Sequence, residues 1–214
     1  MRSRLCMSGR WHERPLPEGG GGAQLFILFS FDGAVRHVRG KGAGMWYVAQ
    51  VQAGRESSTL EMCRRLVPPS VMEDCFMPEY EVMWKIRGEW RLVKRLLFPG
   101  YLFFVTDDPE ALNRELSRVP MPIRLLGNEE NSFFPLTGKE RDWFLSFMDG
   151  NHTVRMSEGY ISGDKITVTR GPLMGFEGDI RKIDRHKRRA YIDVSLFGRT
   201  VPASVGLEIV RKSA

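Results

Sequence analysis

Arg185-His186-Lys187-Arg188-Arg189 sets five basic or potentially basic side chains in a row. The chemistry such a run can do is polyanion binding, because closely spaced cations repel one another and are relieved by phosphate. Lys182 and Arg199, with Arg181, add charge nearby, and Tyr191, Phe176 and Phe197 offer aromatic partners. The two readings are a nucleic-acid contact and a solvated basic face. A second group, Phe98-Pro99-Gly100-Tyr101, can supply aromatic anchors: rings at a forced bend either project as a docking patch or turn into the core.

Catalytic chemistry finds no support. The histidines (His12, His37, His152, His186) form no HExxH, and Cys6, Cys63 and Cys75 form no CxxC. There is no G-x-S-x-G and no phosphate-binding loop. The expectation is a protein without enzymatic activity, metal or cofactor. An odd cysteine count without disulfide spacing points to a reducing compartment, and the cytoplasm is the expected location. No apolar run reaches the ~18 residues of a membrane span.

These residues need elements to position them. Charge is uneven: residues 161–214 carry 11 basic against 6 acidic side chains, whereas residues 45–147 carry 13 against 15. Trp46 to Gln52 alternates as a strand, and Leu60, Cys63 and Val67 recur at helical spacing before Pro68-Pro69. Cys63 reads as a small core residue. Val82, Trp84 and Ile86 alternate up to the Gly88-Glu89 turn, and Trp90, Leu92, Lys94 and Leu96 return into the bend. Pro99 fixes its own φ and Gly100 permits an unusual one, so the chain turns into the apolar strand Leu102 to Val105. Asp108-Pro109 starts a second helix, expected to run to Pro120. Ile123 to Leu126 is a short strand. Thr137-x-x-Glu140 is a capping box for a third helix that turns Trp143, Phe144 and Phe147 inward and ends at Gly150.

Residues 45–150 therefore predict an α/β sandwich. Residues 151–160 show weak periodicity and predict a linker. Residues 161–214 hold five short strands with turn signals, which predicts a small all-β SH3-like barrel. Residues 1–44, with four successive glycines at 19–22, are expected to be disordered or not to be translated at all. In the second case translation starts at Met45, behind codons that can contain a ribosome-binding sequence. A signal peptide fits less well, because the charged, glycine-rich lead-in is long.

The stretch Arg95 to Val105, with Met45 to Val51, Gly163-Asp164-Lys165-Ile166-Thr167-Val168 and Leu196 to Thr200, resembles the NusG family of transcription elongation factors. The resemblance covers residues 45–212. It implies that 45–150 is the N-terminal domain that docks on the clamp of RNA polymerase, and that Trp46, Tyr47, Phe98, Pro99, Gly100 and Tyr101 match its docking face. Gly163-Asp164-x-x-x-Val168 resembles a KOW motif, which implies that 161–214 is the KOW domain. The basic turn, Met156-Ser157-x-Gly159 and Gly206-Leu207-Glu208-Ile209-Val210 are similar to the LoaP paralogues. That subfamily resemblance implies antitermination in long operons, with a leader RNA hairpin bound through Lys182, Arg185, His186, Lys187, Arg188, Arg189 and Arg199. Contact with the non-template DNA strand is a further partner in this picture, and a monomer is expected. Two alternatives stay open: a general NusG coupling polymerase to the ribosome or a termination factor, and a ribosome-associated KOW protein that binds RNA.

Overall fold

The computed structural model describes residues 3–7, 10–14, 44–127, 132–163, 165–197 and 199–210. The chain divides into two units, 1–43 and 44–214. In the first, strands β1 (Ser3–Met7) and β2 (Arg10–Arg14) pair antiparallel, Ser3 opposite Arg14 and Met7 opposite Arg10. The other residues of 1–43 lie outside the described residues.

The second unit opens with β3 (Met45–Val51), α1 (Glu56–Leu66), β4 (Asp74–Phe76), β5 (Glu79–Ile86), β6 (Glu89–Leu96) and β7 (Tyr101–Thr106). Next come α2 (Pro109–Leu116), β8 (Ile123–Leu125), α3 (Gly138–Phe147) and β9 (Thr153–Val154). The chain ends with β10 (Ser157–Ser162), β11 (Lys165–Arg170), β12 (Ile180–Asp184), β13 (Arg189–Leu196) and β14 (Arg199–Ile209).

The central sheet has the order β4-β7-β3-β8. Strand alternation divides its side chains between two faces. Tyr47, Ala49, Val51, Leu102 and Phe104 face one way and pack with Leu60 and Cys63 of α1 and Leu112 and Leu116 of α2. Trp46, Val48, Phe103 and Val105 face the other way and pack with Phe144 and Phe147 of α3. Burying each of these large side chains contributes about 1.5–3 kcal/mol, so a sheet covered on both faces is the stable outcome. The helix starts follow their local signals. The Asp108 carboxylate accepts from the Ala111 N–H at 2.8 Å, and Thr137 and Glu140 form the reciprocal capping box. Helix α2 stops at Leu116, four residues short of Pro120.

β5 and β6 form a hairpin whose turn, Arg87-Gly88, has both residues at positive φ (51° and 89°). That pairing suits the right-handed twist of the strands. The third sheet is β6-β5-β9, and the fourth is a curled five-stranded sheet, β11-β10-β14-β13-β12, around Val168, Leu173, Ile192, Val194, Val205 and Leu207. An α/β N-terminal part followed by an all-β part is thus the architecture. The last two expected strands, Thr200 to Ala203 and Leu207 to Val210, are one continuous strand, β14.

The segment 151–160, expected as a linker, is built into the structure. β9 runs parallel to β5, Thr153 opposite Glu79 and Val154 opposite Tyr80. Arg155 donates to Glu81 at 2.8 Å and to Asp149 at 2.6 Å, and β10 begins two residues later. A two-residue strand is too short to show a period, which is why the segment reads as linker. Among the described residues no helix is long and apolar enough to cross a membrane.

Candidate nucleic-acid interface and aromatic bend

At the bend, Gly100 has φ +83°, a region that costs other residues strain. Its N–H donates to the buried Glu56 carboxylate at 2.8 Å, and its carbonyl accepts from the Val51 N–H at 2.9 Å. The first turn of α1, the end of β3 and the start of β7 are thereby held at one point. Phe98 turns inward: it is 6% exposed, with its ring centre 6.0 Å from that of Phe144 and 6.3 Å from that of Phe103. Pro99 is exposed and Tyr101 half-buried. Trp46 is buried edge-on against Phe76 at 5.0 Å. Trp46, Phe98 and Tyr101 belong to the same apolar cluster.

Tyr47 does not join them. It lies on the opposite face of the sheet, 3% exposed, beneath α1 and α2. Burial, reinforced by Glu110 and Asp107, raises the pKa of its hydroxyl. Adjacent residues of a strand point to opposite faces, so Trp46 and Tyr47 cannot serve one patch.

The C-terminal sheet lies over the bend. An apolar cavity of about 490 Å³ has Val48, Phe98, Tyr101 and Phe103 on one wall and Leu196, Phe197, Arg199 and Val201 on the other. Beside it, the Phe197 N–H donates to a Glu140 carboxylate oxygen, and Phe176 packs edge-on against Phe147 at 5.4 Å. Gly206 of β14 sits so close to β5 that a Cβ there would collide with the Glu81 carbonyl oxygen.

The basic run occupies the β12–β13 turn. Asp184 organises it, accepting from the Lys187 N–H at 2.9 Å with Lys187 Nζ at 3.8 Å. The same backbone hydrogen bond is the leading cause of the lowered Asp184 pKa. Arg185, His186 and Lys187 are exposed. Arg188 and Arg189 are only half-exposed and lie on the β5–β6 hairpin. The Arg188 guanidinium stacks 4.4 Å from the centre of Trp90 while pairing with Glu208 at 3.0 Å, and that of Arg189 lies 4.9 Å from Trp84. Lys182 is exposed, 5.9 Å above Tyr191.

Arg199 is elsewhere. In the β13–β14 ladder Arg189 opposes Gly206 at one end and Leu196 opposes Arg199 at the other. Seven residues at ~3.3 Å each separate them along the strand. Arg199 therefore lines the cavity over the bend. Phe176 and Phe197 are likewise taken up by that packing, and Arg181 is paired with Asp193 at 2.7 Å. Trp84 and Trp90 are the aromatic partners that reasoning on the basic run missed. The available signal was two tryptophans flanking a hairpin turn and interleaved with Lys85, Arg87, Arg91, Lys94 and Arg95. Among the described residues no group of His, Cys, Asp and Glu is arranged to hold a metal ion.

Comparison with known proteins adds an independent line. The family model described as "Transcription termination factor nusG" matches residues 44–145, and the KOW motif model matches residues 162–193. The transcription termination/antitermination protein NusG of Haemophilus influenzae is 29% identical over 172 residues, covering 78% of this chain and 93% of that protein. The Escherichia coli protein of the same name is 27% identical over 173 residues, covering 78% and 96%. A solved structure described as "Domain interaction in Thermotoga maritima NusG" is similar with a TM-score of 0.45 at 20% identity, covering 78% of this chain and 96% of that one.

Proposed function

The chain belongs to the NusG family of non-enzymatic transcription factors, and on that premise we propose that it is an antitermination factor that docks on RNA polymerase and binds a structured leader RNA. The observation that carries the RNA half of this reading is the β12–β13 turn, where Arg185, His186 and Lys187 stand exposed on a scaffold fixed by Asp184. Phosphate contacts from such a turn supply affinity for an RNA stem, whose deep, narrow major groove hides the base edges. Lys182, on the strand β12 that leads into the turn, is exposed as well.

The polymerase half rests on the aromatic bend. Tyr101 and Pro99 supply its accessible part, with Phe98 and Trp46 behind them. The C-terminal sheet covers this face, so docking requires the sheet to move off it. Binding RNA at the turn and polymerase at the bend then lets one chain modify a polymerase that is transcribing a chosen operon, in the manner of the LoaP paralogues.

The test is binding of the full chain to the leader RNA of its own operon and to a scrambled stem across a salt series. Each phosphate neutralised contributes ~0.7–0.9 to the slope of log affinity against log salt. Replacing the exposed Arg185 and Lys187 by Glu should lower both affinity and slope. Equal affinity for the two RNAs reduces the turn to a nonspecific patch. No binding to either RNA, with binding to a ribosomal protein or termination factor, turns the reading to a general NusG.

A further inference from the structure

The β5–β6 hairpin leaves apolar surface in water that its fold does not require: Trp84 is 37% exposed, Trp90 38% and Leu92 54%. Trp90 and Leu92 share one face of the hairpin and Trp84 lies on the other, and exposed apolar surface of this kind marks interaction sites. Their surroundings are cationic, with Lys85, Arg87, Arg91, Lys94 and Arg95 against Glu89 alone in residues 84–95. Register puts Met83, Lys85, Trp90 and Leu92 on one face of the hairpin, because Lys85 opposes Trp90 and Met83 opposes Leu92. Between this face and the basic turn runs a groove of about 270 Å³ lined by Met83, Trp84, Lys85, Trp90, Lys187 and Arg189. It is smaller than the ~300–1,000 Å³ of a site for a drug-sized ligand.

We infer that this groove is a binding site for an unpaired RNA base, which stacks on Trp90 while Lys85 and Lys187 take the flanking phosphates. Two guanidinium groups crowd Trp84, Arg95 at 3.8 Å and Arg189 at 4.9 Å, whereas Trp90 carries one, Arg188 at 4.4 Å, and shares its face of the hairpin with Lys85, so Trp90 is the platform, with Arg188 on one side of its ring. Arg189 brings unspent donors: its Nε and Nη2 are buried and have no hydrogen-bond acceptor among the described residues. Stacking on aromatic and guanidinium planes is how proteins take bases from loops and bulges, and a groove walled by cations selects a polyanion over an apolar partner. The inference rests on the RNA reading of the basic turn and adds the source of selectivity that a turn contacting only phosphates lacks. It also assigns the hairpin of the N-terminal part to the RNA site.

The experiment measures binding of the full chain to a short RNA stem closed by an adenosine loop, and to a blunt duplex of the same stem, over a salt series. Trp90→Ala should weaken binding of the looped RNA about tenfold, leave the blunt duplex unchanged and leave the salt slope unchanged. Trp90→Leu keeps apolar bulk without a ring and should lose as much, whereas Trp90→Phe should recover most of the affinity. Wild-type binding by both Trp90→Ala and Trp90→Leu would overturn the site. So would an equal loss on both RNAs, which would make the hairpin a prop for the turn, or equal affinity for the same loop made of DNA. If the Arg185 and Lys187 charge reversal abolishes binding while Trp90→Ala does not affect it, the stacking site falls and the RNA reading of the turn stands. If the wild-type chain binds neither RNA, both fall together.

Discussion

The backbone N–H of Phe197 donates to one carboxylate oxygen of Glu140, whose other oxygen accepts from the Thr137 N–H and hydroxyl, each at 2.8 Å. A single buried side chain thus closes the capping box of α3 and fastens the C-terminal sheet over the aromatic bend. Glu140→Ala should remove both. Loss of the cap costs about 1 kcal/mol, to be read from denaturant unfolding. Release of Phe197 should loosen the cover over Tyr101, so the variant should bind a polymerase clamp fragment more tightly than wild type. Weaker or unchanged binding, in a variant that still folds, would separate the cap from the cover.

Phe98 and Tyr101 should behave differently when truncated, although they sit three residues apart. Phe98 is a core ring, and Phe98→Ala should cost about 3–5 kcal/mol of stability through the cavity it leaves. Tyr101 is only half-buried, so Tyr101→Ala should leave the melting temperature close to wild type. If the bend is the docking face, it should also cost about 2 kcal/mol or more of clamp binding. Thermal melts beside a clamp pull-down test both. A collapsed melt for Tyr101→Ala would place that ring with the core.

Legibility in the sequence followed the range of the physical signal. The capping box at Thr137 and Glu140, the Asp108 cap and the hairpin turn, expected at Gly88-Glu89 and found one residue earlier at Arg87-Gly88, are local, and the residues that make them are neighbours. The opposite facing of Trp46 and Tyr47 was already implied by strand alternation, whereas the family resemblance alone grouped them on one docking face. The position of Arg199 depends on the β13–β14 register, and that of Thr153-Val154 on a parallel pairing with β5; both are long-range facts without local markers. The hairpin's positive charge vanished when averaged over the acidic residues of 45–147. Its meeting with the basic turn required the three-dimensional arrangement.

Gly100 links three elements through one backbone position. Gly100→Ala should cost about 1–2 kcal/mol from φ alone, since the left-handed region is disfavoured for residues with a Cβ. Crowding adds little: a Cβ would meet the Val51 carbonyl oxygen at 3.6 Å, an ordinary contact. The loss should appear in denaturant midpoints with an unchanged slope. A neutral result would mean that the bend relaxes, and the hydrogen bond to Glu56 with it.

Asp74 gives the fold an acid-sensitive tie. Its carboxylate lies 3.2 Å from His152 Nε2, accepts from the Cys75 N–H at 2.8 Å and faces Arg64 at 3.8 Å. The hydrogen bond with His152 is the leading cause of its lowered pKa; partial burial opposes the shift, and the Cys75 N–H and the His152 and Arg64 charges assist it. A carboxylate whose folded pKa is depressed contributes stability that is complete above its unfolded pKa, about 3.9, and is lost as pH falls through the lower folded value. The affected contacts join β4 to α1 and to the His152 segment that leads into β9, so acid should loosen that corner. Asp74→Asn should be less stable than wild type at neutral pH, by no more than about 1 kcal/mol given the exposure of the pair. The difference should shrink below about pH 4, where the wild-type carboxylate is progressively protonated. Denaturant midpoints for both proteins across that range measure it. A gap that stays constant to low pH would show that packing, and not the charge of Asp74, sets its contribution.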